Sequence, residues 1–259
     1  MFNFFSKKHL FTATILSCAL YMPHSAFAAT NTDNTNKSQQ EATFSAEDQK
    51  IINVMKSYLL EHPEFMLEVQ DAFIKKQEIK IKKTQKTVIK DSNNDIFNNK
   101  QDIILGNPKA SKTIVEFFDY NCGFCRSNAK EILQLIKDNK NIRVILKDLP
   151  IMGTNSREAH LIANAFYKIM PEKFPEFFEK LMTSKEPNSK RTVETIAIEL
   201  GAKKEDLEKY SNAPEIEENF SKNMQLAQKL QINGTPAYII GDEVFPGAIT
   251  KETILQKLK

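Results

Sequence analysis

The residues of this chain best suited to chemistry are two cysteines, Cys122 and Cys125, which are separated by Gly123 and Phe124. They follow the apolar run 113–118, which predicts a β-strand, and they open a segment with helical periodicity. The N-terminus of a helix offers unpaired N–H groups and a positive dipole end, which favour a thiolate over a thiol at Cys122. Cys125 is then placed to displace a partner from a mixed disulfide at Cys122. The spacing therefore predicts thiol–disulfide exchange.

A C-x-x-C pair also has three other uses in proteins. A structural zinc site needs four ligands, commonly a second cysteine pair or two histidines, and the other candidates here (Cys18, His62 and His160) are isolated and far apart in sequence. A structural disulfide that closes so short a loop stabilises a fold little. Two thiolates could also bind Cu(I). Exchange chemistry is the favoured interpretation, with no metal and no cofactor.

The first 28 residues have the organisation of a secretory signal peptide. Lys7 and Lys8 precede the apolar stretch 10–22, which is too short to span a bilayer comfortably, and the sequence A-F-A at 26–28 is a small-x-small cleavage signal. A lipoprotein anchored through Cys18 is an alternative, although the residues before it match a lipobox poorly. Exported proteins meet an oxidising compartment, so an isolated cysteine pair there is typical of a redox-active site.

The balance of charge narrows the classes of partner. The chain carries a formal net charge of +3, and removal of Lys7 and Lys8 with the signal peptide would lower it to +1. Such a small net charge gives no case for nucleic acid. The exchange chemistry of the cysteine pair predicts protein substrates that carry disulfides or thiols.

The chain after the signal peptide begins with a polar segment, 29–43, which is predicted to be a disordered lead-in. Residues 44–100 are predicted to form a helical oligomerisation region and a linker. Ser45 and Asp48 form a capping box at the start of a first helix, and Pro63 suits the first turn of a second. Each helix has an apolar stripe, formed in the first by Ile51, Ile52, Met55, Tyr58 and Leu59 and in the second by Phe65, Met66, Val69, Phe73 and Ile74.

Two short amphipathic helices cannot bury both stripes alone. They must pack on the main domain or on another copy of the chain, and we favour self-association through residues 44–75. Seven lysines follow, at positions 75, 76, 80, 82, 83, 86 and 90. They favour a solvated helix end or linker, with contact to anionic lipid or an acidic envelope surface as the alternative. Residues 91–100 are predicted to be a polar linker, which places a boundary near residue 100.

The third part, 101–259, has the element order of an α/β protein with a thioredoxin fold. Two parallel strands, Thr113–Phe118 and Ile142–Lys147, flank a helix from Phe124 to about Asp138. Apolar clusters at helical spacing then predict a helical insertion over about 156–231. A strand at Ala237–Ile240, a turn and a helix at Glu252–Leu258 close the chain.

Gly234-Thr235-Pro236 is the second motif with chemical meaning. It precedes a strand, and in thioredoxin-like folds such a proline is cis and lies against the C-x-x-C. A threonine–proline pair alone would be interpreted as a plain loop proline. Its position relative to the C-x-x-C favours a cis Thr235–Pro236 bond, which costs little at proline. The loop would turn backbone groups outward, where a substrate strand can pair with them.

Several stretches together resemble a known family. They are F-S-A-E-D-Q-K-I-I at 44–52, Y-L-L-E-H-P-E at 58–64, V-E-F-F-D-Y-N-C-G-F-C at 115–125, K-D-L-P-I-M-G at 147–153, L-Q-I-N-G-T-P-A-Y-I-I-G at 230–241 and P-G-A at 246–248. The sequence resembles the DsbA family of thiol–disulfide oxidoreductases, in the thioredoxin superfamily. The similar branch is that of surface-antigen-type envelope proteins, related to the oligomeric ScsC-like and DsbC-like enzymes. The resemblance implies that Cys122 is the nucleophile, Cys125 the resolving thiol and Thr235-Pro236 the substrate-binding cis-proline loop.

The sequence departs from this family between the cysteines. DsbA oxidases carry Pro-His there and the envelope branch often Gly-His, whereas this chain has Gly123-Phe124. A histidine helps to hold the thiolate, which makes the disulfide strongly oxidising. Its absence, the threonine at 235 and an oligomeric arrangement favour isomerase or reductase work over oxidation. The alternatives are a DsbA-like disulfide oxidase, or a surface, adhesion or copper-binding envelope protein that has kept the fold.

Two further residues have expected roles. Phe124 is expected to shape the substrate surface beside Cys122, and Asp119 could tune the site or relay a proton, although a turn acid at the strand end is the favoured interpretation. The expected location is the periplasm or cell envelope of a Gram-negative bacterium, with association with the outer membrane as an option. A membrane redox partner is expected to complete the cycle.

Overall fold

A computed structural model describes residues 44–258 of the chain. The predicted signal peptide, its cleavage site, the predicted lead-in and Cys18 lie outside these residues. Within the described residues the chain divides into two units, with the boundary between Tyr58 and Leu59. No helix in the described part is long and apolar enough to cross a membrane.

The first helix, α1 (Ala46–Glu61), begins at the predicted capping box. The hydroxyl of Ser45 accepts a hydrogen bond from the backbone N–H of Asp48 at 3.2 Å, and the carboxylate of Asp48 accepts one from the backbone N–H of Ser45 at 3.0 Å. None of the 16 residues of α1 is buried. Of the apolar stripe that the sequence predicts, Ile51, Ile52, Met55 and Tyr58 are exposed and Leu59 is partly exposed.

The second helix, α2 (Glu64–Asp91), is longer than expected, since it continues through the lysine segment. No proline or glycine interrupts it, and Gln85 and Ile89 lie on a buried face. The side-chain amide of Gln85 donates to the backbone oxygen of Leu230 at 2.8 Å. The lysines of this segment are exposed, and Lys86 pairs with Asp242 at 2.9 Å.

The segment predicted to be a polar linker contains a short helix, α3 (Asn93–Phe97). Ile96 of this helix is fully buried and packs with Val115 and Phe117. The hydrophobic core therefore includes residues before residue 100. Burial of the apolar side chain of Ile96 stabilises this helical turn against the sheet.

A five-stranded sheet follows, in the order β1-β3-β2-β4-β5. Its strands are β1 (Ile103–Gly106), β2 (Lys112–Phe118), β3 (Ile142–Asp148), β4 (Ala237–Ile240) and β5 (Glu243–Pro246). β2 and β3 are parallel, as predicted, and the other pairs are antiparallel. The sequence reading did not identify β1, whose four residues are too few for a clear alternating pattern.

Helices cover both faces of the sheet. They are α4 (Gly123–Asp138), α5 (Thr154–Ile169), α6 (Phe174–Thr183), α7 (Lys190–Glu199), α8 (Lys204–Ser211), α9 (Pro214–Lys229) and α10 (Lys251–Lys257), with a 3₁₀ turn at Pro171–Lys173. One core cluster joins the sheet to α4 and to α5–α8, and the other joins its opposite face to α2, α3 and α9. The α/β fold with a helical insertion is therefore as predicted.

Candidate active site

The cysteine pair lies at the N-terminus of α4. This helix follows β2, the central strand of the sheet, after a short loop. Cys122 is the N-cap residue in an extended conformation (φ −72°, ψ 119°), and its carbonyl oxygen accepts the hydrogen bond from Arg126 N–H. The two cysteines are free thiols. The Cys122 Sγ–H donates to the backbone oxygen of Thr235 at 3.2 Å. The site thus joins the helix N-terminus to the predicted cis-proline loop.

Cys125 lies deeper than Cys122. It has no exposed surface, whereas Cys122 keeps 6% of its surface exposed. Burial raises the pKa of the Cys125 thiol above its ordinary value, and the nearby Glu116 carboxylate raises this pKa further. Cys125 is therefore held as a thiol, and it needs a proton acceptor before it can attack a disulfide.

The peptide bond between Thr235 and Pro236 is cis, which confirms the prediction. The oxygen of Pro236 accepts a hydrogen bond from Gly247 N–H at 2.9 Å. A groove of about 470 Å³ lies beside this loop, lined mainly by apolar side chains from α2, the loop and β5: Ile81, Ile232, Pro236, Val244 and Pro246. The sequence did not predict a contribution of α2 to this groove. Ile81 lies among the lysines, where the second helix was expected to end.

Asp119 is fully buried and acts as an acceptor for the surrounding loops. One carboxylate oxygen accepts from Asn121 N–H at 2.7 Å and from the Ser156 hydroxyl at 2.8 Å, and the other accepts from Ile151 N–H at 2.8 Å and Met152 N–H at 3.0 Å. The bond to the N–H two residues ahead is typical of an Asx turn. The geometry is that of the turn acid, tied to the loop 151–152.

Three exposed apolar side chains lie in the cysteine motif and in the loop that Asp119 binds. Phe124 is 72% exposed, and Ile151 and Met152, which Asp119 holds by their backbone, are 41% and 55% exposed. Contiguous exposed apolar patches on a protein surface often mark interaction sites. The backbone oxygen of Asp119 also accepts a hydrogen bond from Cys122 N–H at 3.1 Å, so Asp119 links the loop 151–152 to the motif. We call the side chains of Phe124, Ile151 and Met152 the apolar rim.

The site also contains a buried acid that the sequence reading missed. Glu116 of β2 is 1% exposed, and its carboxylate accepts a hydrogen bond from the Tyr238 hydroxyl at 2.9 Å. Burial raises the pKa of Glu116 to about 7, against which the bond from Tyr238 acts. The available signal was a lone carboxyl group within the apolar strand Thr113–Phe118, six residues before Cys122.

The other residues considered as metal ligands lie apart from the cysteines. His160 is buried and its Nδ1 lies 2.5 Å from a carboxylate oxygen of Asp148, and His62 lies beside Glu64 at 3.2 Å. Among residues 44–258, no group of three or more His, Cys, Asp or Glu side chains could hold a metal ion.

Comparison with known proteins finds similarity in sequence and in fold. Residues 113–259 match the family described as DSBA-like thioredoxin domain. "Disulfide bond formation protein D" of Bacillus subtilis is 29% identical over 175 residues, which span 60% of this chain and 77% of that protein.

Two solved structures extend the similarity. The thiol-disulfide exchange protein alpha-DsbA2 from Wolbachia pipientis is 31% identical, with a TM-score of 0.63 over 68% of this chain and 95% of that chain. A linker-deletion mutant of Proteus mirabilis ScsC is 22% identical, with a TM-score of 0.63 over 84% of this chain and 96% of that chain, a likeness of fold alone. The chain is therefore a thiol–disulfide oxidoreductase that belongs to the DSBA-like thioredoxin domain family, as its motifs indicated.

Proposed function

We propose that this oxidoreductase is exported to the periplasm or cell envelope of a Gram-negative bacterium and acts there on protein disulfides through its C-G-F-C motif, mainly as an isomerase or reductase. The observation that carries the proposal is the arrangement of the two thiols. Cys122 lies at a helix N-terminus beside the cis-proline loop, and Cys125 lies buried behind it. The first can meet a protein substrate and the second cannot.

The first step is attack by the Cys122 thiolate on a substrate disulfide. A bond forms between Cys122 Sγ and one substrate sulfur, the substrate disulfide breaks, and the other substrate sulfur leaves as a thiolate. In isomerisation that thiolate attacks a second substrate disulfide. A substrate thiolate finally displaces Cys122, so that no electrons are gained or lost overall.

In reduction, Cys125 resolves the mixed disulfide. Its thiol gives a proton to the carboxylate of Glu116, and the resulting thiolate attacks Cys122 Sγ. The Cys122–Cys125 disulfide forms, the bond to the substrate breaks, and the substrate leaves with two electrons more than it had. A membrane redox partner would then return the pair to the dithiol form.

The burial of Cys125 supports isomerisation in particular. Because burial and the charge of Glu116 both raise the pKa of the Cys125 thiol, its ionisation limits the resolving step. The mixed disulfide therefore persists long enough for rearrangement within the substrate. The exposed side chain of Phe124 supports the same proposal, since an apolar rim suits incompletely folded substrates with exposed apolar segments.

Self-association through residues 44–75 completes the proposal. In α1, Ile51, Val54 and Met55 are each more than half exposed, and in α2 Phe73 is 59% exposed. Soluble monomers rarely keep so much apolar surface in contact with water. The spacing of these residues along each helix suits helix-to-helix packing between copies.

The test is reactivation of a scrambled multi-disulfide protein by residues 29–259 in a redox buffer. We expect recovery that requires Cys122 and is lost in Cys122→Ser. Oxidation of a reduced substrate without reactivation would contradict the isomerase proposal and indicate a DsbA-like oxidase. Failure in both assays would favour an adhesion or copper-binding protein.

A single charge tests the role of self-association. Truncation at residue 101 would remove the buried Ile89 and Ile96, so a surface substitution is preferable. Met55→Glu should lower the molar mass measured by light scattering and reduce reactivation. Asn53→Glu is the matched control, because it adds the same charge to the opposite side of α1. Equal behaviour of the two variants would refute self-association through this stripe.

A further inference from the structure

Glu116 is one end of a buried chain of hydrogen bonds that comes from three elements. The hydroxyl of Tyr238 on β4 donates to a carboxylate oxygen of Glu116 on β2 at 2.9 Å. The side-chain amide of Asn128 on α4 donates to the same hydroxyl oxygen at 2.8 Å. All three side chains are buried, and the second carboxylate oxygen of Glu116 has no hydrogen-bond partner among the described residues.

The chain has a direction. A tyrosine hydroxyl has one proton to donate, and its oxygen can accept other hydrogen bonds. Because the amide of Asn128 occupies an acceptor position of the Tyr238 oxygen, the hydroxyl proton is directed to Glu116. A hydrogen bond of this kind favours the ionised carboxylate over the neutral acid. Asn128 is three residues from Cys125, so one helical turn carries both the thiol and the end of the chain.

We infer that Tyr238, oriented by Asn128, is a positioning residue that keeps Glu116 in the ionised state in which it can accept the proton of Cys125. The inference rests on the proposed function, in which Cys125 resolves the mixed disulfide. It assigns Tyr238 a role in the resolving step through its hydrogen bond to the carboxylate of Glu116.

Among the described residues, no positively charged side chain near Glu116 stabilises its ionised form, so the hydrogen bond from Tyr238 is the interaction that does. From β3, the residue in register with Glu116 is Leu146, which is apolar. From α4, Cys125 is the titratable group whose ionisation is coupled to that of Glu116. No lysine, arginine or histidine of the described residues forms an ion pair with Glu116. Burial raises the pKa of Glu116 to about 7, and the bond from Tyr238 is the interaction that opposes the rise.

The direct test follows the titration of Glu116 by ¹³C NMR in protein labelled at glutamate carboxyl carbons. The resonance is assigned by its loss in Glu116→Gln, and a Cys125→Ser background removes the coupled thiol. We expect Tyr238→Phe to raise the titration midpoint by about one to two pH units. Asn128→Leu should raise it less. Tyr167→Phe, which removes a hydroxyl that contacts Ile104 N–H instead, should leave it unchanged.

The second readout is the pH profile of the resolving step in single-turnover release of a thiol from a mixed disulfide at Cys122. Near pH 7, Tyr238→Phe should release about tenfold more slowly, with recovery at higher pH. A slower rate at every pH, with no change in the profile, would indicate a merely structural role and overturn the inference. An unchanged NMR midpoint would also overturn it.

Failure of this inference can be distinguished from failure of the proposed function. Absence of exchange in the wild-type protein would refute the proposed function, while the NMR titration would still decide the role of Tyr238. Exchange that depends on Cys122 and Cys125, with identical pH profiles in wild type and Tyr238→Phe, would refute the inference alone.

Discussion

Replacement of Asp119 tests how the loops around the cysteines are held. Its buried carboxylate accepts four hydrogen bonds, and Asp119→Ala leaves all four donors without this acceptor. A buried donor without a partner costs about 1–3 kcal/mol, and donors near the surface recover part of this from water. Because three of the four bonds are only partly buried, we expect the free energy of unfolding to fall by about 3–5 kcal/mol.

Asp119→Asn is the matched variant, since it keeps the shape of the side chain. Its oxygen can accept from the N–H groups of Ile151 and Met152, and its amide can donate to the Ser156 hydroxyl oxygen. Only the bond from Asn121 is then lost. We expect a fall of about 1–2 kcal/mol in the free energy of unfolding.

Urea unfolding followed by circular dichroism measures both losses, provided that the slope with urea is unchanged. Equal losses in the two variants, or a loss below about 1 kcal/mol in Asp119→Ala, would contradict the anchoring role. The exchange rate per folded molecule separates anchoring from proton relay. An anchor leaves the pH dependence of Asp119→Asn as in the wild type, and a shifted pH dependence would instead support the relay.

Three further predictions concern the core and the motif. Because the pKa of Glu116 is raised to about 7, the stability that this group contributes is present below the ordinary glutamate pKa and is lost as pH rises toward about 7. The wild-type free energy of unfolding should therefore fall across this pH range by about 2–3 kcal/mol more than that of Glu116→Gln, as measured by urea unfolding at each pH. Phe124→His should make the disulfide more oxidising by about 30 mV or more in equilibrium with glutathione, whereas Phe124→Leu should not; equal potentials would refute the role given to the missing histidine. Ile96→Ala should destabilise the fold by about 2–4 kcal/mol, and the exposed Ile79→Ala by less than about 0.5 kcal/mol in the same thermal or urea unfolding assay; similar values would remove α3 from the core.

Patterns that depend on near neighbours were readable in the sequence. Residue types a few positions apart determine the capping box at Ser45, the strand Lys112–Phe118 and the helix that begins after Cys122. Their causes are local: a short side chain that reaches a free N–H, and apolar periodicity. The cis Thr235–Pro236 bond was predicted instead from the position of the proline relative to the C-x-x-C, by similarity to thioredoxin-like folds. The motifs together also indicated the family.

Features that depend on distant partners were not readable. The helix α2 continues to Asp91 because Gln85 and Ile89 meet residues far along the chain, and α3 forms because Ile96 reaches β2. β1 exists because β3 offers an edge to pair with.

The clearest division lies within the active site. The types and spacing of Cys122 and Cys125 by themselves determined the chemistry, because a thiol pair at a helix N-terminus is defined by a few adjacent residues. Only the tertiary structure decided that Cys125 is buried beside Glu116 and that Tyr238, 122 residues away in sequence, donates to that carboxylate. Burial and hydrogen bonding between distant residues set proton affinities, and both exist only after the sheet has assembled.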